Sequence, residues 1–166
     1  YNTLRRYSMG FSTNVIAPGA YSDVHSSAEY NLGQLSICDD GKAYRYVQFA
    51  DSVAVVAGSV VCYDGSASNV VTPDVSADGN SDLCAGVAVA AVALNTSTPQ
   101  YGWIQVSGYC SNIQTDESVS AGDFLISGTA DGVAHTMSAG EEHKVFAVAD
   151  ANDSGTTGSG WLRGIL

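Results

Sequence analysis

The stretch at residues 101–110 constrains the fold most, because apolar and polar side chains alternate along it. Ile104 and Val106 point to one face, and their odd-numbered neighbours point to the other. This period of two is typical of a β-strand with one buried face. Residues 121–123, Ala-Gly-Asp, then predict a tight turn into a second strand at 124–126. A strand, a tight turn and a strand with no catalytic group beside them indicate a small β-scaffold.

The rest of the chain after residue 30 repeats this pattern. An Asp-Gly turn at Asp40 predicts a hairpin between strands at 33–38 and 43–49. Hydrophobic residues make up 45% of the chain and charged residues only 14%, and 18 glycines are available for turns. We therefore predict an all-β fold: one compact β-barrel or β-sandwich of short antiparallel strands over residues 31–166. Further strands are predicted at 53–56, 60–63, 84–94 with a bulge near Ala90 or Ala91, 133–137, 144–149 and 161–166, with polar loops at 64–82 and 150–160.

Residues 1–30 are predicted to form an extended N-terminal arm. Turn residues at Pro18 and Gly19 interrupt the segment, and it has little apolar periodicity. It nevertheless carries too many large apolar side chains for a solvated tail, which indicates that it lies on its own body, a neighbouring subunit or a partner. These side chains are Tyr1, Leu4, Tyr7, Met9, Phe11, Val15, Ile16 and Tyr21.

The charge differs between the two ends of the chain. Residues 1–22 carry Arg5 and Arg6 and no acid, a charge of +2, whereas the remainder carries four cations and 17 acids, a charge of −13. A surface this acidic repels phosphate backbones, so we do not expect nucleic-acid binding. The chain also lacks an apolar stretch of the roughly 18 residues that a membrane span needs. The basic end has two interpretations: a docking element or an ordinary solvated terminus.

Four cysteines, Cys38, Cys62, Cys84 and Cys110, are spaced too widely for a zinc site. Three disulfide pairings are open if the protein is exported, but each cysteine sits in an apolar, strand-like context. We therefore interpret them as buried free thiols. Residues 78–82 have oxygen ligands at alternate positions, as at the start of a calcium loop. They lack its later glycine and glutamate, so no metal or other cofactor is predicted.

We predict no enzymatic activity. His25, His135 and His143 are not adjacent to a nucleophile motif, and we interpret them as surface histidines. Glu141 and Glu142 are neighbours in a loop and are interpreted as solvated. Five aromatic residues on the predicted sheet allow two interpretations, packing within the sheet or a platform for sugar rings, and we favour packing. These residues are Tyr44, Tyr46, Tyr101, Trp103 and Tyr109.

The glycine-punctuated strands at 101–108, the Ala-Gly-Asp turn at 121–125, Asp131-Gly132, residues 147–149 and the terminal segment 161–166 together resemble tailed-phage capsid decoration (cement) proteins. This resemblance implies a non-catalytic structural virion protein. It would bind the major capsid protein on the outer capsid surface as a homotrimer and stabilise the shell, after assembly in the host cytoplasm. In that setting Arg5 and Arg6 would pair with carboxylates of the shell, and Tyr7 and Phe11 would fill grooves.

The alternative function is a carbohydrate-binding β-module of a tail or secreted protein. It would use Trp103 and the tyrosines as its binding surface.

Overall fold

The computed structural model describes residues 20–50, 54–65, 68–75, 84–93 and 98–164. These residues form ten β-strands and two single-turn 3₁₀ helices, so the predicted all-β class is confirmed. The strands are β1 (Leu35–Ile37), β2 (Ala43–Phe49), β3 (Val60–Tyr63), β4 (Val70–Thr72), β5 (Cys84–Ala88), β6 (Gln100–Gln114), β7 (Phe124–Ser127), β8 (Ala134–Thr136), β9 (Ala147–Ala149) and β10 (Thr157–Arg163); the 3₁₀ turns are Ala20–Ser22 and Glu142–Lys144. No helix in the described part of the chain is long and apolar enough to cross a membrane.

Five strands close a barrel in the order β2-β4-β3-β5-β6, because β2 also pairs with β6. The β2–β4 pair is parallel and the other four pairs are antiparallel. Alternate residues of these strands fill the barrel interior, among them Val47, Val61, Val71, Ile104 and Val106, each fully buried. The alternation read from the sequence therefore identifies the barrel core correctly.

A second sheet extends from β6, which at 15 residues is long enough to leave the barrel. Its strand order is β6-β10-β9-β7-β8, and its inner face packs against residues such as Val60 and Val87 on the outside of the barrel. Leu125 and Ile113 are fully buried in this second core, and Leu162 is nearly so. The molecule thus consists of a barrel and a covering sheet that share one long strand.

Several predicted boundaries were wrong. Among its described residues, the predicted strand at 53–56 is reduced to an isolated bridge at Val55, and the strand predicted at 144–149 begins only at Ala147. β4 lies inside the stretch predicted as a polar loop, because its three β-branched residues pair with β2 and β3 and are buried. β10 begins at Thr157 rather than Trp161, since Gly158 and Gly160 pack closely although they contribute no apolar pattern. The strand predicted at 84–94 ends as β5 at Ala88, and beyond it Val92 forms only an isolated bridge with Val55.

Residues 102–106 of the stretch at 101–110 are not half-buried as predicted, because both faces of the strand are covered there. Trp103 on the outer face is only 1% exposed. The 3₁₀ turn Ala20–Ser22 and the segment after it cover this face: the Tyr21 ring stacks on Tyr44 at 4.1 Å, and Tyr30 packs edge-on against Tyr46 at 5.1 Å. We call Tyr21, Tyr30, Tyr44, Tyr46, Tyr101 and Trp103 the aromatic cluster. It fixes the end of the predicted arm to its own body.

The cysteines are free thiols, as predicted. Cys62, Cys84 and Cys110 are buried, and Cys38 is half-buried. Burial raises the pKa of the Cys84 and Cys110 thiols, because the thiolate form would lose its hydration. These groups therefore act as small hydrophobic side chains in the core.

Candidate functional site

The predicted partner-binding residues Arg5, Arg6, Tyr7 and Phe11 lie outside the described residues, as do residues 78–82 of the calcium-like loop. The structure does show where the arm joins the body. Backbone hydrogen bonds of 2.9 Å link His25 and Tyr101 in both directions. The hydroxyl groups of Tyr21 and Ser36 lie 2.7 Å apart. The described part of the chain therefore begins at the aromatic cluster.

The interpretation of the sheet aromatics as packing is confirmed for four of the five residues. Tyr44, Tyr46, Tyr101 and Trp103 belong to the aromatic cluster, and Tyr46 and Trp103 are almost completely buried. Trp103 cannot contact a sugar ring, because the cluster covers its outer face. The carbohydrate-binding alternative therefore loses the residue on which it depended.

A row of apolar side chains crosses the second sheet and is partly open to solvent, with Trp161 and Phe124 exposed and the other three members half-buried. Cross-strand register places Trp161 opposite Tyr109 on one side and opposite Val148 on the other. Val148 in turn lies opposite Phe124, and Met137 donates its backbone N–H to the carbonyl of Phe124 at 2.8 Å. Directly opposed residues in antiparallel strands share one face of a sheet. These five side chains, which we call the aromatic row, therefore form a strip about 19 Å long at roughly 4.8 Å per strand.

The exposure of the aromatic row is what makes it a candidate site. Trp161 is 57% exposed and Phe124 is 45% exposed. The rings of Tyr109 and Trp161 lie 5.4 Å apart, and a cavity of about 150 Å³ lined by Phe124 and Met137 marks the other end of the row. Arg163 follows Trp161 by two residues in β10, is exposed and makes no ion pair with a described residue. Trp, Tyr and Arg together are the residues most enriched in the energetic centres of protein interfaces.

A second exposed apolar patch lies on β1. Leu35 is 44% exposed and Ile37 is 69% exposed, whereas Ser36 between them is buried. β1 pairs with β2 on one side only, so it is an edge strand of the described sheet. Asp39 and Asp40 follow it directly, and Asp40 pairs with Lys42 at 3.0 Å. We call Leu35 and Ile37 the β1 patch.

A cluster of titratable side chains joins the end of β6 to β8. The Nδ1 atom of His135 lies 3.0 Å from the Asp116 carboxylate and 3.3 Å from Glu117. Glu117 also accepts hydrogen bonds from the Thr136 backbone N–H at 2.7 Å and from the Thr136 hydroxyl. The hydrogen bond to Asp116 is the main reason that the pKa of His135 is raised, and the bonds from Thr136 lower the pKa of Glu117.

The potential metal ligands in this cluster lie within 4.8 Å of one another. A histidine nitrogen and two carboxylates are a ligand set that divalent metals accept. In the structure the Nδ1 atom of His135 and one oxygen of each carboxylate pair with each other or with Thr136. The cluster is best described as a clasp that holds β8 against residues 115–117.

The clasp predicts a pH-dependent contribution to stability. Because the pKa of His135 is raised above 6.5, its contribution is fully present below that value and is lost as pH rises through the folded-state pKa. Because the pKa of Glu117 is lowered below 4.5, its contribution is present above that value and is lost as pH falls through the folded-state pKa. The clasp is therefore most stabilising between those two ordinary values.

We expect His135→Gln to lower the free energy of unfolding by less than about 1 kcal/mol, since the clasp is partly solvated. Urea denaturation should show a larger difference from wild type at about pH 5.5 than at about pH 8.5. Glu141, which also raises the pKa of His135, is retained in this variant. A difference that grows with pH would contradict this assignment.

His143 lies at the surface as predicted, whereas His25 and His135 are half-buried. The Nδ1 atom of His25 lies 2.9 Å from the Tyr46 hydroxyl, and its Nε2 atom lies 3.3 Å from Glu29. His135 lines a cavity of about 650 Å³ that also contains Ser127, Ser138, Glu141 and Lys144. Sequence reasoning missed both this clasp and the aromatic row, because their members come from separate strands.

No protein-family model and no curated relative matches the sequence. Among solved structures, the chain is similar to the crystal structure of the head fiber gp8.5 N base of bacteriophage phi29. The TM-score is 0.52 at 14% sequence identity, and the match covers 72% of this chain and 93% of that chain. At this identity the similarity shows a shared fold, and it carries no residue-level correspondence.

Proposed function

We propose that this protein is a structural component of a tailed-phage head: a decoration (cement) protein that binds the outer capsid surface and stabilises the shell. The observation that carries the proposal is the shared fold with a head fiber base, of which 93% is covered. The sequence motifs that resemble decoration proteins support the same role. Such a role needs no catalytic chemistry and no cofactor, and the protein would join the particle in the host cytoplasm.

The division of the chain supports this role. Its acidic body suits a surface that faces solvent, whereas residues 1–22 of the N-terminal arm are basic and rich in large apolar side chains. The proposed partner of the arm is the major capsid protein. Arg5 and Arg6 would pair with its carboxylates, and Tyr7 and Phe11 would fill its grooves. Three arms on a homotrimer would multiply weak contacts into firm attachment.

The structure indicates where to cut the arm. Tyr21 stacks on Tyr44 and belongs to the body, so removal of residues 1–19 preserves that contact. We expect this truncation to leave the thermal unfolding midpoint within a few degrees of wild type and to weaken binding to assembled capsids at least about 10-fold, through loss of several arm contacts. Co-sedimentation with capsids that lack the protein measures the binding.

The double reversal Arg5→Glu/Arg6→Glu is the matched variant, because it keeps the length of the arm and its large apolar side chains and reverses the charge at these two positions. It should weaken binding less than truncation does, and more at low salt than at high salt. Equal capsid occupancy by the wild-type and truncated proteins would exclude the arm as the docking element. Failure of the wild-type protein to bind any particle would overturn the proposed function itself.

A further inference from the structure

Exposed apolar side chains are concentrated at two places on the body. Six large apolar residues are exposed in the described part of the chain. Trp161 and Phe124 belong to the aromatic row, Leu35 and Ile37 form the β1 patch, and Leu32 lies just before β1. Only Val56 lies outside these regions. Exposed apolar surface gathered in this way is typical of an interaction site, whereas scattered single residues are not.

The two regions belong to one continuous sheet. Ile37 pairs with Ala43, Ala43 with Ser107, and Ser107 with Arg163 at the end of the aromatic row. Three strand-to-strand steps of about 4.8 Å separate Ile37 from Arg163, a distance of about 14 Å. The patches are therefore close enough to lie at neighbouring contacts of one assembly, but too far apart to cover each other within one molecule.

The charges beside the two regions are complementary. Arg163 flanks the aromatic row and has no ionic partner among the described residues. Asp39 is exposed two residues after Ile37, next to Asp40, which pairs with Lys42. If the aromatic rows of two copies met in parallel alignment, two Arg163 side chains would be brought together, and in antiparallel alignment neither Arg163 would meet the Asp39 side chain of the other copy. If the row met the β1 patch instead, Arg163 would lie near carboxylates, which is the favoured arrangement.

We infer that the aromatic row of one copy binds the β1 patch of a neighbouring copy. The occupant of the row is thus a second copy of this chain, and the contact is head-to-tail, because different surfaces meet. A contact of this kind generates a closed ring when its rotation closes. The inference deepens the proposed function and rests on it for the number of copies, since three such contacts would form the proposed homotrimer.

The energetic centre of this interface is Trp161, with Ile37 as the side chain it meets. A large aromatic residue at such a centre commonly contributes 2 kcal/mol or more, which corresponds to about a 30-fold change in the dissociation constant. The outward position of both side chains means that the body does not need them for folding. Each can therefore be replaced by serine without opening a core.

The test is complementation between two defective variants, measured by sedimentation velocity on the full chain. Trp161→Ser and Ile37→Ser should each weaken self-association about 30-fold. An equimolar mixture of the two should form heterodimers, because the intact row of one variant can still bind the intact β1 patch of the other. Val56→Ser is the matched control and should assemble like wild type, since Val56 is 54% exposed but lies outside both regions.

Each other outcome overturns the inference. If only Trp161→Ser dissociates, rows bind rows; if both variants stay assembled while removal of residues 1–19 dissociates the protein, the arm forms the interface. If both variants stay assembled but lose capsid binding, the row docks on the shell. A wild-type protein that is monomeric yet binds capsids would overturn this interface and leave the proposed function standing. Complementation by a protein that does not bind capsids would support this interface and overturn the proposed function.

Discussion

Replacement of Trp103 by alanine is expected to lower the free energy of unfolding by about 3–5 kcal/mol, the range for a large aromatic residue removed from a core. Trp103 is only 1% exposed, and it contacts Tyr46 at 5.1 Å, Tyr30 at 5.2 Å and Tyr21 at 5.5 Å between ring centroids. Loss of the side chain would leave a cavity lined by two separate parts of the chain. The surrounding side chains could therefore fill the cavity only in part.

This variant also tests whether the segment that begins at Tyr21 is part of the folded body. Tyr21 and Tyr30 contact Trp103 from that segment. If the segment were a detachable arm, its aromatic rings would move away at little cost, and Trp103→Ala would resemble the removal of a surface residue. Chemical denaturation followed by fluorescence of the remaining Trp161 measures the effect.

Two matched variants separate packing from other effects. Trp161→Ala removes the same side chain from an exposed position and should change the stability of the monomer by no more than about 0.5 kcal/mol. Trp103→Phe keeps most of the packing and removes an indole N–H that has no hydrogen-bond partner among the described residues, so it should cost much less than alanine. Equal effects of Trp103→Ala and Trp161→Ala would contradict the buried aromatic cluster.

The strands that the sequence predicts correctly are those in which apolar and polar side chains alternate over enough residues to form a recognisable pattern. β2 and β6 run for seven and 15 residues and place a side chain such as Val47 or Ile104 in the barrel at every second position. β4 has only three residues, all buried, and therefore carries no period. The start of β10 contains glycines, so its pairing depends on close backbone approach rather than on apolar side chains.

The candidate surfaces depend on register, which a single sequence does not contain. The aromatic row takes its members from β6, β10, β9, β7 and the residue after β8, and no two of them are close in the sequence. His135 meets Asp116 across 19 residues for the same reason. The outer face of Trp103 was misjudged because its cover comes from an N-terminal segment without periodicity.

Gly86→Ala is expected to be the second severe substitution, with a loss of about 2–5 kcal/mol in the free energy of unfolding. Gly86 lies in β5, the strand that pairs with β6 to close the barrel, and its φ is +152°. A Cβ atom here would lie 2.6 Å from the backbone carbonyl oxygen of Gln105 and 3.2 Å from Ile104 Cδ1. A backbone atom cannot rotate away, so the two strands must separate.

The magnitude combines two causes. Overpacking of a filled site costs about 1–3 kcal/mol, and a positive φ costs a non-glycine residue about 1–2 kcal/mol. Gly122→Ala is the control, because its φ is +93° and no atom lies within 4 Å of the added methyl group. It should show only the conformational cost, about 1–2 kcal/mol. Urea denaturation that gave the two variants equal stability would show that β5 and β6 are not in close contact at Gly86, and the barrel would then have to close by another pairing.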